Sequence, residues 1–347
     1  MDERKAQMNQ IAMSSRIRLA RNIKGFCFPQ RADEATLQLV AEKVADVFLQ
    51  SENLAADFEV ITMSKISPLE RHFLKEKHII SPEYARQSFG RVLVRSRDGR
   101  ISIMVNEEDH LRIQCILPGF HLQEVWECAT KIDDAIEKQL DYAFHQEYGY
   151  LTSCPTNVGT GMRASVMLHL PALVISRNAW GIFQAISGLG VAVRGMYGEG
   201  SEIVGNIFQV SNQVTLGMSE GDILIKLESV VNQIIAKEIE CREALLHDDS
   251  IKLEDRVWRS YGLLTQARLM PSSEALQLLS DVRLGQDLGI IDGMGEDVLQ
   301  GMLDSLGPAA MRKLSGGHLK PDERDRFRAT WIRETLAGQD KGGKDSV

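Results

Sequence analysis

The chain has no surplus of positive charge: 40 Lys and Arg stand against 48 Asp and Glu, a formal net charge of -8. Phosphate backbones and anionic membrane surfaces are bound mainly by excess Lys and Arg, so the charge argues against a broad nucleic-acid or membrane surface and leaves a local basic pocket open. Long apolar runs are missing too. No stretch approaches the ~18 apolar residues of a membrane span, and Met1-Asp2-Glu3-Arg4-Lys5 runs into Gln and Asn without the apolar region of a secretory signal. The five cysteines (Cys27, Cys115, Cys128, Cys154, Cys241) are an odd number with no C-x-x-C pair, which fits a reducing cytoplasm and argues against zinc. The eight histidines show no metal-ligand spacing. No Gly-Lys-Ser/Thr occurs, so a P-loop is excluded. Neither an internal repeat nor a biased tract is present, apart from the tail Lys341-Gly-Gly-Lys-Asp-Ser-Val347.

What is present reads as a globular protein, 44% hydrophobic and 25% charged over 347 residues, with room for about two domains. After a short arm, Ser14 to Asn22 alternates as a strand with Arg16 and Arg18 on one face. Asp33 to Gln50 has the helical period and an acidic start, Phe58 to Met63 reads as a strand, and Pro68 opens a short helix. Two apolar runs around Asp98-Gly99 predict a hairpin, Leu111 to Leu117 another strand, and His121 to Phe144 one long amphipathic helix. Ala164 to Leu170 is apolar, a helix follows from about Pro171, and Val191 to Val193 and Asn206 to Asn212 are strands. From Glu220 onward the period is helical, with breaks near Pro271, Gly285 to Gly295, Gly307-Pro308 and Ser315 to Pro321. Strands in succession without βαβ alternation predict an α+β class: an antiparallel sheet flanked by helices, then a helical C-terminal domain beyond a boundary near residue 240.

Two features carry chemistry. Asn106-Glu107-Glu108-Asp109-His110-Leu111-Arg112 concentrates acid at a strand end, where a solvated turn is the plain alternative. Arg16, Arg18, Arg112, Arg163 and Arg194 each stand at a strand edge or in a glycine loop. One alone would be a surface ion-pair partner. Together, and without a Walker lysine, they suggest a nucleoside triphosphate held by guanidinium forks, with magnesium anchored through carboxylates and water. Gly159-x-Gly161-x-x-Ala164 matches a loosened dinucleotide fingerprint but lacks the preceding strand and the later acid. Its glycines permit either close approach to an anion or a tight turn.

Ser14-Ser15-Arg16-Ile17-Arg18, Asn106 to Arg112, Cys154-Pro155-Thr156-Asn157-Val158-Gly159-Thr160-Gly161-Met162-Arg163 and Arg194-Gly195-Met196-Tyr197-Gly198-Glu199 stand in the order in which the phosphagen (guanidino) kinase family carries its motifs. The chain resembles that family, and within it the bacterial protein-arginine kinases, through Glu76 to Pro82, Arg163-Ala164-Ser165-Val166-Met167 and Arg324-Asp325-Arg326-Phe327-Arg328-Ala329. The resemblance implies a phosphagen kinase catalytic domain of glutamine-synthetase-like fold over residues 11–241 and a helical domain over 242–347. It implies that ATP is bound by Ser14, Ser15, Arg16, Ile17, Arg18, His78, Arg112, Arg163, Ala164, Ser165, Val166, Met167, Arg194, Gly195, Met196, Tyr197, Gly198 and Glu199. Glu108 would accept the guanidinium proton, Glu107 would stand nearer Mg2+ without a certain direct metal ligand, Glu199 would be a second guanidinium-binding acid, and Cys154 a reactive cysteine beside the substrate nitrogen. For Cys154 a small buried residue is the plain alternative.

Arg324, Asp325, Arg328 and Ala329 would form an allosteric phosphoarginine pocket, although four-residue spacing also fits a solvated helix face. Phosphagen kinases of small guanidines carry a helical domain ahead of the Ser-Ser-Arg motif. This chain starts almost at the motif, so the guanidinium end is expected to be open to an arginine on a protein. The implied partners are protein substrates, among them the heat-shock repressor CtsR, a zinc-binding activator of the McsA type, the Clp protease system in the stress response, and a second copy in a cytoplasmic homodimer. Kinase action on free arginine and non-catalytic binding of phosphoarginine proteins remain as alternatives.

Overall fold

The computed structural model describes residues 2–195 and 204–342. Strand β1 (Ala12–Arg21) follows a helix, α1 (Asp2–Ile11), where the sequence reads as only a short arm. Ser15, Ile17 and Leu19 of β1 are buried on one face of the sheet, and Arg16 and Arg18 are half-buried on the other. Helix α2 (Glu34–Leu49) is capped by Asp33, whose carboxylate accepts the Thr36 N–H at 2.8 Å. Next come α3 (Glu52–Ala55), β2 (Phe58–Thr62), α4 (Pro68–Glu76) and α5 (Pro82–Arg86), the last two opened by Ser67 and Ser81 caps with proline at the first helical position. β3 (Val92–Ser96) and β4 (Ile101–Val105) pair around Asp98-Gly99, where Gly99 takes a φ of +76°. β5 (Leu111–Pro118) and α6 (Leu122–Glu137) follow.

Helix α6 ends seven residues before Phe144, short of the expected length. The chain beyond it is drawn toward β1 instead: Tyr142 bridges to Ile23, and Ala143 N–H donates to Asn22 O at 2.7 Å. It then turns through the hairpin β6 (Phe144–His145) and β7 (Gly149–Tyr150). After β8 (Met162–His169) come α7 (Pro171–Ile175), α8 (Ala179–Ser187), β9 (Val191–Gly195) and β10 (Ile207–Asn212). The helices α9 (Glu220–Asp248), α10 (Ser250–Gln266), α11 (Ser272–Asp287), α12 (Glu296–Leu303), α13 (Pro308–Ser315) and α14 (Pro321–Gly342) complete the chain. The main sheet runs β2-β3-β4-β5-β1-β8-β10-β9, and β1 lies antiparallel between β5 and β8. The class is the expected α+β, with an antiparallel sheet flanked by helices and a helical C-terminal part.

The described residues fall into two compact units: residues 2–168 with 184–193 and 209–232, and residues 169–183 with 194–195, 204–208 and 233–342. In the first unit α6 packs across β1 and β5, burying Val125, Ala129, Ile132 and Ile136. Each of the valine and isoleucine side chains contributes about 1.5–3 kcal/mol when fully buried. Arg21 closes β1 under this layer. Its Nε and Nη2 donate to Asp133 Oδ2 at 3.0 and 2.7 Å, and Nη1 donates to the carbonyls of Ala20 and Thr160. The ring of Tyr150 covers the guanidinium with its centroid 3.5 Å away.

In the second unit Glu238, fully buried on α9, accepts the N–H groups of Ala172 and Leu173 and the Arg242 Nε, and Arg242 Nη1 donates to Asp287 at 3.0 Å. Helix α10 packs on α11, where a Cβ on Gly285 would come within 2.3 Å of Val257 Cγ1.

Removing one partner of a buried ion pair leaves the other uncompensated, at a cost of about 3–5 kcal/mol. Asp133→Ala is therefore expected to lower unfolding free energy by about that much in urea titration. A change below about 0.5 kcal/mol would show that the pair is not a fixed point of the fold.

Candidate active site

The antiparallel register assembles the site. Arg18 of β1 lies opposite Gln114 of β5 and Arg163 of β8, Arg16 opposite Ser165, and Ala20 opposite Arg112. Cross-strand partners share a face, so Arg16, Arg18, Arg112 and Arg163, which are scattered along the sequence, converge on one side of the sheet. Arg16 Nη2 donates to Gln209 Oε1 at 2.7 Å and its Nε to Ser165 Oγ at 3.3 Å. The Nε of Arg18 is buried without a hydrogen-bond partner among the described residues. Burial, with Arg112 and Arg163 adding like charge, lowers the Arg16 pKa to about 10. Burial likewise drives Arg18 well below the usual arginine range, joined by Arg16, Arg112 and Arg163 and opposed by Glu107. So many cations beside one buried carboxylate form a site complementary to a polyanion.

The acid cluster stands at the edge of this field. Asn106 opens it with a φ of +61° and donates through Nδ2 to Leu37 O at 2.8 Å and Gly90 O at 2.6 Å. Asn tolerates this left-handed conformation better than most residues. Glu107 is buried and accepts Arg112 Nη1 at 2.5 Å and the Ser81 hydroxyl. Burial pushes its carboxyl up, but Arg112, the Ser81 hydrogen bond and Arg18 outweigh that and hold it below the usual range. Glu108 behaves in the opposite way: half-buried, it is raised by burial and by the charges of Asp109 and Glu107.

Asp109 and His110, to which the sequence assigns no role, are fixing groups. Asp109 Oδ1 accepts Asn22 Nδ2 at 2.7 Å and Ser153 N–H at 2.6 Å. His110 Nδ1 accepts Ile23 N–H at 3.0 Å, which makes Nε2 the donor to Cys27 O at 2.9 Å, a neutral imidazole bonded at both nitrogens.

The other expected site residues divide by face. Ser14, Ser165 and Met167 share the arginine side, whereas Ile17, Ala164 and Val166 are buried on the opposite one. Ser15 also points away, donating to Gly119 O and accepting the His121 N–H, both at 2.9 Å. His78, with a φ of +56°, sits between α4 and α5, its carbonyl held by Gln114 Nε2 at 2.9 Å. Burial first, then Arg16 and Lys77, push its imidazole down to about 4, so it is neutral at pH 7. Cys154 is half-buried, its Sγ 3.0 Å from Thr156 Oγ1, in the loop that Ser153 joins to Asp109. The loop glycines serve packing: a Cβ on Gly159 would meet Thr215 O at 2.2 Å, and one on Gly161 would meet Ala20 O at 2.6 Å.

Arg194 and Gly195 end β9 in the second unit, and Met196, Tyr197, Gly198 and Glu199 lie outside the described residues. In α14 Arg328 is buried, donating to Leu306 O at 2.9 Å, Met270 O at 2.7 Å and Asp325 Oδ1 at 2.6 Å. Ala329 is buried beside it, and Arg324 donates weakly to Leu319 O while its Nε is buried without a partner among the described residues. Sequence reading missed Gln209, Ser81 and Asn22, the groups that hold Arg16, Glu107 and Asp109. Only Ser81, as a cap before Pro82, carries a local signal. No group of three or more His, Cys, Asp or Glu side chains that could hold a metal ion occurs among the described residues.

The model of the ATP:guanido phosphotransferase C-terminal catalytic domain matches residues 39–241, and that of the protein-arginine kinase McsB C-terminal domain matches 250–346. The protein-arginine kinase of Bacillus subtilis (strain 168) is 50% identical over 335 residues, 96% of this chain and 92% of its own. That of Brevibacillus brevis (strain 47) is 53% identical over 331 residues, 94% and 92% of the two chains. The chain belongs to the protein-arginine kinase family. Among solved structures, a lombricine kinase is 26% identical with a TM-score of 0.60, over 69% of this chain and 70% of that one. The duplicated taurocyamine kinase of Schistosoma mansoni, at 24% identity and a TM-score of 0.62 over 76% and 39% of the two chains, shares the fold. Arg112, Arg163 and the acid loop thus sit within the matched phosphotransferase catalytic domain, and the register of β1 places Arg16 and Arg18 beside them.

Arg18→Met removes a half-buried, mutually repelled charge, so the Tm of the protein without nucleotide should stay level or rise. A charged hydrogen bond is worth about 1.5–3 kcal/mol, so the ATP Kd should weaken by roughly 10- to 100-fold and the rise in Tm given by ATP should shrink accordingly. A lower Tm with an undiminished ATP effect would mark Arg18 as a structural group.

Proposed function

We propose that this chain transfers the γ-phosphoryl group of ATP to arginine side chains of proteins. The observation that carries the reading is the sheet face on which Arg16, Arg18, Arg112 and Arg163 converge, with the raised carboxyl of Glu108 at its edge. The arginines would take the phosphate oxygens bidentately, Arg194 among them, with neutral His78 near the nucleotide. A guanidinium nitrogen is a poor nucleophile while its lone pair is delocalised and its pKa exceeds ~12. Glu108 would orient the substrate guanidinium and take its proton as the nitrogen–phosphorus bond forms and the bond from phosphorus to the ADP oxygen breaks. Raised by burial and by its acidic neighbours, Glu108 is better matched to this proton than Glu107, which Arg112 and Ser81 keep ionised. Glu107 would steady Arg112 and stand nearer Mg2+, which when bound would supply charge neutralisation. Glu199 would be the second acid on the guanidinium, and Cys154 would lie beside the accepting nitrogen.

The catalytic domain is taken as residues 11–241 and the helical domain as 242–347, with α9 running through the join. In the helical domain the arrangement favours Arg324 as the phosphate-binding member of a phosphoarginine pocket and Arg328, spent on Leu306, Met270 and Asp325, as its scaffold. Protein rather than free arginine as the acceptor is supported by the relatives named protein-arginine kinase. On the same family ground we propose a cytoplasmic dimer with a zinc-binding activator of the McsA type, and products, CtsR among them, marked for Clp-type proteolysis in the stress response.

With ATP and an unfolded arginine-rich protein, 31P NMR should detect phosphate on arginine nitrogen, lost in acid. Glu108→Gln should cut kcat by about 10²–10⁴ with the ATP Kd unchanged. Turnover of free arginine alone would point to a metabolic kinase, and an unchanged rate in Glu108→Gln would remove Glu108 from the chemistry. Glu108 accepts a proton only when ionised, so kcat/KM should fall as pH drops through its pKa, with the midpoint above the usual glutamate range. A midpoint at or below that range would reassign the base.

A further inference from the structure

The hairpin of β6 and β7 presents apolar surface that the proposed chemistry leaves unused. Phe144 is 57% exposed and Tyr148 48%, unusual for large apolar rings on a two-stranded ribbon. The rings are organised. His145 and Tyr148 stack with centroids 4.8 Å apart and planes at 22°, and Phe144 meets Tyr150 edge-on at 5.2 Å. Tyr150 is in turn fixed over the Arg21 guanidinium, so the platform rests on a buried, paired cation and not on a loose loop.

Its position and its charge narrow the occupant. Tyr150 N–H donates to Gly159 O at 2.8 Å, and three residues on, Ser153 N–H donates to Asp109, the neighbour of Glu108. The hairpin is therefore tied to the loop that carries the proposed base. From Gln139 to Met162 the sequence holds no Lys or Arg, while Asp141 and Glu147 are exposed on and beside the hairpin. Burial raises the Tyr150 hydroxyl, Arg21 beneath the ring opposes the rise, and Asp133, Glu137 and Glu220 add to it, so two further carboxylates beyond the Arg21–Asp133 pair act on the ring. Flat aromatic faces rimmed by carboxylates attract guanidinium groups by stacking and by charge, and repel nucleic acid.

We infer that the β6–β7 hairpin is a docking surface for a basic, extended polypeptide segment, the one that carries the target arginine. The inference rests on the reading of the site as a protein arginine kinase and specifies how that substrate is held. A ribbon of exposed aromatic rings suits a chain whose sequence varies, because stacking tolerates many neighbours of the arginine while the acids select for positive charge. Discrimination by these contacts would appear in the affinity for the acceptor and not in the phosphoryl-transfer step, since neither Phe144 nor Tyr148 is among the proposed catalytic groups.

The test uses the full chain and a fluorescently labelled peptide of alternating arginine and glycine, with binding read by anisotropy without nucleotide. The double variant Phe144→Ser with Tyr148→Ser should weaken the peptide Kd about tenfold or more, and Glu147→Lys, which keeps the rings and reverses a charge, should weaken it in the same direction. In turnover, KM for the peptide should rise with kcat unchanged, while KM for ATP and the rate on N-acetylarginine amide, which lacks flanking residues, stay as they were. Absence of binding by the unaltered protein, an unchanged Kd in the variants, or equal loss on both acceptors would overturn the docking surface. Loss of self-association in the double variant with peptide affinity intact would also overturn it, by assigning the rings to a second copy. Hairpin-dependent binding without any phosphate transfer would instead leave the docking surface standing and sink the kinase reading.

Discussion

Four arginines on one sheet face repel one another, and the protein around them is arranged to keep them there. Like charges gathered in a partly desolvated place oppose folding, which is why the pKa values of Arg16 and Arg18 fall. The cost is met by structure elsewhere. Ile17 and Leu19, alternating with those arginines, are fully buried, and α6 packs across the strand that carries them. The apolar half of β1 anchors what its charged half would disperse. Gln209 and Ser165 hold Arg16, and Glu107 holds Arg112, so the guanidinium groups are oriented before a ligand arrives.

The same economy separates the two glutamates. They are adjacent in sequence and identical in chemistry, yet Glu107 turns inward to Arg112 and Ser81 and is held ionised, while Glu108 meets burial and the negative charge of Asp109 and is raised. What divides them is the short loop fixed by Asn106 at one end and by Asp109 and His110 at the other. Those fixing residues are buried, and their effect is to give neighbouring carboxylates different environments. A pair of groups pushed in opposite directions is what a site needs when one carboxylate must remain a charge and the other must take a proton.

Much of the strand and helix order was legible from periodicity, because a buried strand face and a helix stripe leave regular apolar spacing. The limits of that legibility were local. The period of α6 continues through Leu140 and Phe144, but the backbone there is claimed by Asn22 and Ile23, residues more than a hundred positions earlier. The glycines at 159 and 161 give no sign in the sequence of which neighbours they meet, and the close backbone of Thr215 and Ala20 is visible only in the fold. Arg324 and Arg328 have the spacing of a solvated helix face, whereas Arg328 is buried among the carbonyls of Leu306 and Met270.

The sequence by itself determined the alternation that puts Arg16 and Arg18 on one side of a strand, the acid-rich turn before Arg112, and the order of motifs that marks a guanidino phosphotransferase. Side-chain direction along a strand and turn preference are local properties, fixed by backbone geometry within a few residues. Only the tertiary structure decided that Arg112 and Arg163 join them, that Glu107 and Glu108 differ, and that Gln209 and Ser81 belong to the site. Register between strands distant in sequence sets which charges meet, and burial sets what those charges do to one another. Neither is a property of any segment alone.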